Sequence, residues 1–245
     1  MKIFAHRGSK GTHPENTLAA IEEAVKIGSD GIEIDIHLSK DRELIVIHDE
    51  TLNRTTDKKG AIHQLNLTEI KQADAGSWFS TEFFSEPIPT LNEVCDLLNR
   101  LNYRGVLNIE LKTDIYSYDG IETIVNELMN GQSQQFTFIY SSFNLATLER
   151  LHQIDKKTDK AWIMEGRQSE LQQARATEFI NAIHPHYFAV THNKTHIEAC
   201  GQLVRPWTVN KQRTMKRLLM EKIEGFHTDF PKEAIHLRNS VLSIN

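Results

Sequence analysis

Gly31-Ile32-Glu33-Ile34-Asp35-Ile36 has a counterpart further along the chain in Leu107-Asn108-Ile109-Glu110-Leu111-Lys112. In each run apolar and polar side chains alternate, and a strand sends successive side chains to opposite faces. Ile32, Ile34 and Ile36 therefore share one face with Leu107, Ile109 and Leu111. Glu33, Asp35, Asn108, Glu110 and Lys112 take the other. Outward from these runs, strand patterns fall at 2–6, 31–36, 105–111, 136–141, 160–164, 185–190, 203–207 and 225–229. Helical patterns separate them near 17–28, 91–101, 119–130, 144–154, 169–181, 193–200 and 211–222. Eight strands alternating with helices predict an α/β fold of the TIM (β/α)8 barrel type, whose usual length is about 250 residues. The isoleucines would then pack on the outer helices and the carboxylates would point to the barrel axis.

One segment breaks the alternation. Glu43-Leu44-Ile45-Val46-Ile47-His48 reads as a strand, yet only Leu38 to Arg42 separates it from 31–36. A parallel crossover needs about a dozen residues, so this connection must be a hairpin. It returns His48 toward the end of the second strand, where Asp35 lies. Residues 49–90 lack a clear barrel element apart from a short helix near 68–74. They are expected to form a small insertion beside the barrel mouth, within one catalytic domain spanning 1–245.

Bulk properties narrow the function. The chain is 39% hydrophobic and 25% charged, ordinary for a globular protein, with a net charge of −5. Such a charge attracts neither nucleic acid nor an anionic membrane. No apolar run reaches the roughly 20 residues of a spanning helix, and no secretory signal precedes the strand at Met1-Lys2-Ile3-Phe4. Cys95 lies on a helical apolar stripe, Leu91-x-x-Val94-Cys95-x-x-Leu98, and reads as a buried thiol. A cytoplasmic location is expected. A homo-oligomer is an open arrangement.

Barrel interiors are usually filled by branched apolar side chains. Inward carboxylates at Glu33, Asp35 and Glu110 would repel one another and raise their own pKa values. A shared cation removes that repulsion. With oxygen ligands and no nearby cysteine, Mg²⁺ or Ca²⁺ is favoured over Zn²⁺. The alternative is a structural salt-bridge network of these three with Arg7 and Lys112. His6 ends the first strand and His48 the hairpin strand. Two histidines flanking a phosphate could remove one proton and deliver another. Arg7 and Lys112 are candidate phosphate ligands, or simple counter-ions to the triad. The first loop, Arg7 to Glu15, ends at a helix N-terminus that Asn16 or Thr17 can cap, where backbone amides favour an anion. Trp207 offers either an apolar wall for a substrate or barrel packing. The other ten histidines take no role, and Asp229 is at most an orienting group.

The ordered motifs match a known family. HRG at 6–8, PENT at 14–17, GIEIDI at 31–36, HD at 48–49, LNRTT at 52–56, PTLNEV at 89–94 and LNIELK at 107–112 are followed by SSF at 141–143, PWTVN at 206–210 and TDFP at 228–231. In these the chain resembles glycerophosphodiester phosphodiesterases of the compact bacterial type. The resemblance implies the barrel with its insertion, His6 and His48 as the acid–base pair, Glu33, Asp35 and Glu110 as metal ligands, and Arg7 and Lys112 on the phosphate. The chain departs from the family at Asp41-Arg42, where a glycine is common, and at His227, where an aliphatic residue is usual. His13 fills a position more often small, and 155–200 matches weakly.

The expected reaction is metal-dependent hydrolysis of a small-molecule glycerophosphodiester, such as glycerophosphocholine or glycerophosphoethanolamine, to sn-glycerol 3-phosphate and an alcohol. Rivals are a phospholipase D or lysophospholipase relative, a non-catalytic phosphodiester sensor and a metal-dependent sugar isomerase. The missing basic rim, the complete set of histidines and carboxylates, and the anion-binding first loop count against these in turn.

Overall fold

In a computed structural model, residues 1–192, 194–221 and 223–242 are described. The expected helix boundaries at 193 and 222 lie outside the described residues. The chain runs β1 (Lys2–His6), α1 (Leu18–Lys26), β2 (Gly31–Leu38), β3 (Leu44–Val46), α2 (Leu67–Ile70), α3 (Leu91–Arg100) and β4 (Val106–Leu111). It continues through α4 (Ile121–Gly131), β5 (Thr137–Ser142), α5 (Leu145–Ile154), β6 (Lys160–Met164), α6 (Gln168–Ala176) and β7 (Ala182–Pro185). Then come α7 (Tyr187–His192), α8 (Lys194–Cys200), β8 (Leu203–Val204), α9 (Gln212–Leu219), β9 (Gly225–Thr228) and α10 (Pro231–Leu242).

Eight of these strands pair in parallel in the order β8-β7-β6-β5-β4-β2-β1-β9. Backbone hydrogen bonds join the two ends of that path. Glu224 donates to the Val204 carbonyl at 3.1 Å, His227 to Pro206 at 2.9 Å and Val209 to His227 at 2.8 Å. The ring is a TIM barrel. Ile32, Ile34 and Ile36 are fully buried against the helices in the main apolar core, together with Leu107, Ile109 and Leu111. Pairing of β2 with β4 sets Glu33 opposite Asn108 and Asp35 opposite Glu110. β1 adds His6 opposite Glu33. Three neighbouring strands thus aim polar side chains at one level of the axis.

β3 is antiparallel to β2, with Val46 opposite Ile36 and Leu44 opposite Leu38, so the hairpin forms as expected. Its turn holds Arg42 at φ +68°, the left-handed conformation that explains a preference for glycine there. β3 has apolar side chains on both faces. Leu44 and Val46 join the main core, whereas Ile45 and Ile47 join a second one with Leu52, Ile62, Ile70 and Ile88. The strand is the wall between the two cores, and His48 follows it after Ile47.

The expected strand at 185–190 is displaced. β7 pairs with β6 over Ala182 to Pro185, and 187–192 is helical. Tyr187, Phe188 and Val190 look β-forming in isolation, but the turn after Pro185 starts a helix that buries Ala189 and Val190. The helix predicted over 169–181 stops at Ala176. The helix expected near 68–74 is one turn, Leu67–Ile70. α10, which begins at Pro231 where a missing amide proton costs nothing, is an element beyond those expected. Among the described residues no helix is long and apolar enough to cross a membrane.

Candidate active site

After His6 the backbone turns left-handed, with Arg7 at φ +54° and Gly8 at φ +76°. A Cβ on Gly8 would lie 2.6 Å from the Ala20 carbonyl carbon, so only glycine lets this loop settle on α1. The turn aims the Arg7 amide at Glu33, whose Oε2 accepts it at 2.9 Å. Thr17 caps α1, its hydroxyl accepting from the Ala20 amide at 3.2 Å. Asn16 does something else. Itself at φ +58°, it donates from Nδ2 to Asp35 Oδ2 at 2.8 Å, and its Oδ1 accepts the Asp35 amide at 3.3 Å.

Glu33, Asp35 and Glu110 are buried, and one carboxylate oxygen of each lies within 4.8 Å of the others. Arg7 Nε pairs with Asp35 Oδ2 at 3.1 Å, and Lys112 Nζ donates to Glu110 Oε1 at 3.1 Å. Two protein cations therefore face three carboxylates. Glu33 Oε1 and Asp35 Oδ1 are buried with no hydrogen-bond partner. Burial, then the charges of Asp35 and Glu110, pushes the Glu33 carboxyl well above its usual range. Burial likewise raises Glu110, against the pull of Lys112. Burial acts on Asp35 too, but Arg7 in particular overrides it and holds that group low. Orphaned buried oxygens are expensive. All three residues present hard oxygen donors, the set that suits Mg²⁺ or Ca²⁺, so the residues fit a divalent cation.

Each expected histidine is braced by an aspartate. His6 Nδ1 meets Asp229 Oδ1 at 2.6 Å, and Asn210 Nδ2 donates to Asp229 Oδ2 at 2.7 Å. His48 Nδ1 meets Asp49 Oδ1 at 2.7 Å. Hydrogen bonds from Arg54, ahead of any other influence, keep Asp49 low. Burial raises Asp229, but His6, Lys10 and the Asn210 amide together outweigh it and keep that group low. An ionised carboxylate only accepts, so both Nδ1 atoms carry the hydrogen and both Nε2 atoms are left for chemistry. Burial and then Arg7 lower the His6 pKa, and burial chiefly lowers that of His48. Lys112 Nζ sits 3.4 Å from His48 Nε2.

These groups open on a cavity of about 220 Å³ at the mouth of the barrel. His6, Arg7, Glu33, His48, Glu110, Lys112 and Trp207, expected from sequence, all line it, and Asp35 stands behind Arg7. Trp207 packs edge-to-face on Phe143 at 5.5 Å and donates from Nε1 to the His184 carbonyl at 2.7 Å, which locks its ring as a wall. Sequence reasoning missed the floor. There Asn108 Nδ2 lies 3.3 Å from His227 Nε2, and the rings of His227 and His184 are 4.7 Å apart. It also missed Asn16. A signal was available for His227, which falls within the expected strand 225–229, but not for His184, which precedes the expected 185–190.

The chain matches the family model described as glycerophosphoryl diester phosphodiesterase family over residues 6–233. A glycerophosphodiester phosphodiesterase of Bacillus altitudinis is 37% identical over 243 residues, covering 98% of this chain and 99% of that protein. Another, from Caldanaerobacter subterraneus subsp. tengcongensis, is 35% identical over 238 residues, with 96% of each covered. Among solved structures, an Oleispira antarctica phosphodiesterase in complex with the product sn-glycerol-3-phosphate matches with a TM-score of 0.87 at 30% identity, covering 98% of this chain and 97% of that one. Barrel, cavity and relatives together define a phosphoric diester hydrolase. Within that class, the chain belongs to the glycerophosphoryl diester phosphodiesterase family.

Proposed function

We propose that the enzyme hydrolyses glycerophosphodiesters such as glycerophosphocholine and glycerophosphoethanolamine to sn-glycerol 3-phosphate and an alcohol, with metal assistance and two histidine proton carriers. One observation carries this: a buried carboxylate triad with two unpartnered oxygens, beside two imidazoles each braced at Nδ1 by an ionised aspartate. Glu33, Asp35 and Glu110 would hold a divalent cation, Mg²⁺ or Ca²⁺, whose chemistry when bound is Lewis-acid neutralisation of phosphoryl charge.

The chain's own groups supply the rest. Asp229 and Asp49 fix the imidazoles so that Nε2 of one takes the proton from the attacking oxygen and Nε2 of the other protonates the leaving alkoxide. Arg7 and Lys112 are preorganised donors for the charge that grows on the non-bridging oxygens, in a cavity where each is worth about 10²–10³ in rate. Trp207 and Phe143 give the carbon skeleton an apolar wall. Residues 1–245 are read as one catalytic domain, with 49–90 as an insertion at its mouth. Free, buried thiols at Cys95 and Cys200 accord with a reducing, cytoplasmic setting.

The test is a panel of glycerophosphodiesters assayed for released sn-glycerol 3-phosphate across several divalent ions. Release from at least one short-chain diester is expected. No release with any head group and any ion would overturn the proposal.

A further inference from the structure

Two motifs of the sequence, Pro14–Thr17 and Asn53–Thr56, leave charged side chains without a part in this chemistry. They meet at Arg54. Its Nε and Nη2 donate to Oδ2 and Oδ1 of Asp49, both at 2.8 Å. Its Nη2 and Nη1 also donate to Oε1 and Oε2 of Glu15, at 2.7 and 3.0 Å. Beyond Asp49 lies His48 Nδ1. Beyond Glu15 lies Arg7, whose Nη1 donates to Oε1 at 2.8 Å. A continuous chain therefore runs from His48 through Asp49, Arg54 and Glu15 to Arg7.

The three central members come from three segments: the loop after β1, the stretch that follows β3 and the body of the insertion. No shared element fixes their spacing. The guanidinium does, because its planar fork grips one carboxylate along one edge and a second along another. Glu15 is 3% exposed, so without Arg54 it would keep Arg7 and a distant Lys10, 3.8 Å away, as its ion partners. The other histidine is braced differently, since Asp229 rests on the neutral amide of Asn210.

We propose that Arg54 is a positioning residue, which sets the His48 imidazole and the Arg7 guanidinium in one fixed relation across the cavity. The inference rests on the roles assigned above to His48 and Arg7. It reaches further by making the insertion part of the reacting geometry.

The experiment compares kcat, KM and thermal unfolding for the parent, Arg54→Ala, Arg54→Lys, Asp49→Asn, the Arg54→Ala/Asp49→Asn double variant and His48→Ala, with divalent ion in excess. Supporting groups of this kind are worth about 10- to 100-fold, and Arg54→Ala is expected to lose that in kcat with a smaller change in KM. Arg54→Lys restores the charge without the fork and is expected to stay about 10-fold below the parent. The double variant is expected to be no slower than the slower single one, because both break one chain. A folded Arg54→Ala with kcat within about twofold of the parent, or a double variant whose losses multiply, overturns the inference. If Arg54→Ala fails to fold, Arg54→Lys decides, and parent-like kcat there overturns it. His48→Ala separates the two readings. Parent-like kcat in that variant removes the histidine assignment itself, whereas its loss beside a normal Arg54→Ala removes only the role of Arg54.

Discussion

Acid should loosen the floor of this barrel through His227. The ring is 3% exposed and packs between Phe4 and His184. Burial first, and then the charges of His6 and Arg205, hold its pKa down to about 3. The unfolded chain takes up that proton near 6.5, while the folded chain refuses it until about 3. Folded stability is therefore complete above 6.5 and declines as the pH falls toward 3. Between pH 7 and pH 4 the ring alone should remove about 3 kcal/mol. Urea unfolding of the parent and of His227→Leu at both pH values measures this. Carboxylate protonation weakens both proteins, and the Asn108 amide left without its imidazole costs the variant a constant amount. The difference between the two pH-dependent losses reports the ring, with an addition in the same direction from His184, whose pKa burial and then the charge of His227 hold down. The variant should lose at least about 3 kcal/mol less than the parent on acidification, with an unchanged m-value. Equal losses would refute the claim that the fold keeps this imidazole neutral.

Chelation with EDTA should abolish turnover, and added Mg²⁺ or Ca²⁺ should restore it; full activity in EDTA would contradict the triad assignment. His6→Ala and His48→Ala should each lower kcat by about 10²–10⁴ while thermal unfolding stays close to that of the parent. Near-normal turnover in either would mean that the acid–base pair is misassigned. Gly8→Ala should lower stability by about 1–3 kcal/mol in denaturant melts, because its Cβ meets Ala20 and its φ is left-handed. A neutral result would show that the first loop can relax away from α1.

The barrel was legible because alternation in two strands carries both packing and chemistry. Ile32, Ile34 and Ile36 could only face the helices if Glu33 and Asp35 faced the axis. The five-residue connection from Ser39 to Glu43 left β3 no option but to fold back. Residues 185–190 misled, since side-chain type favours a strand there while register with β6 ends it at Pro185. The parts of the site that went unseen depend on distance in space. Glu15 and Arg54 are 39 positions apart in sequence, and His6, the neighbour that Asp229 orients, is 223 positions from it. Local periodicity says nothing about such pairs. Inward histidines such as His184 and His227 likewise become informative only once the barrel gathers them beneath one cavity.

Because Leu44 and Val46 turn one way and Ile45 and Ile47 the other, the two imidazoles proposed as proton carriers have different surroundings. His6 ends β1, while His48, whose carbonyl accepts from His37 on β2 at 2.9 Å, is preceded by Ile47, which packs in the smaller cluster with Ile62, Ile70 and Ile88. Damage to that cluster should silence the enzyme while the barrel stays standing. Substitutions at Ile70 or Ile88, neither of which lines the cavity, would act on turnover from a distance. Mild denaturant should extinguish activity before the barrel's own signal fades.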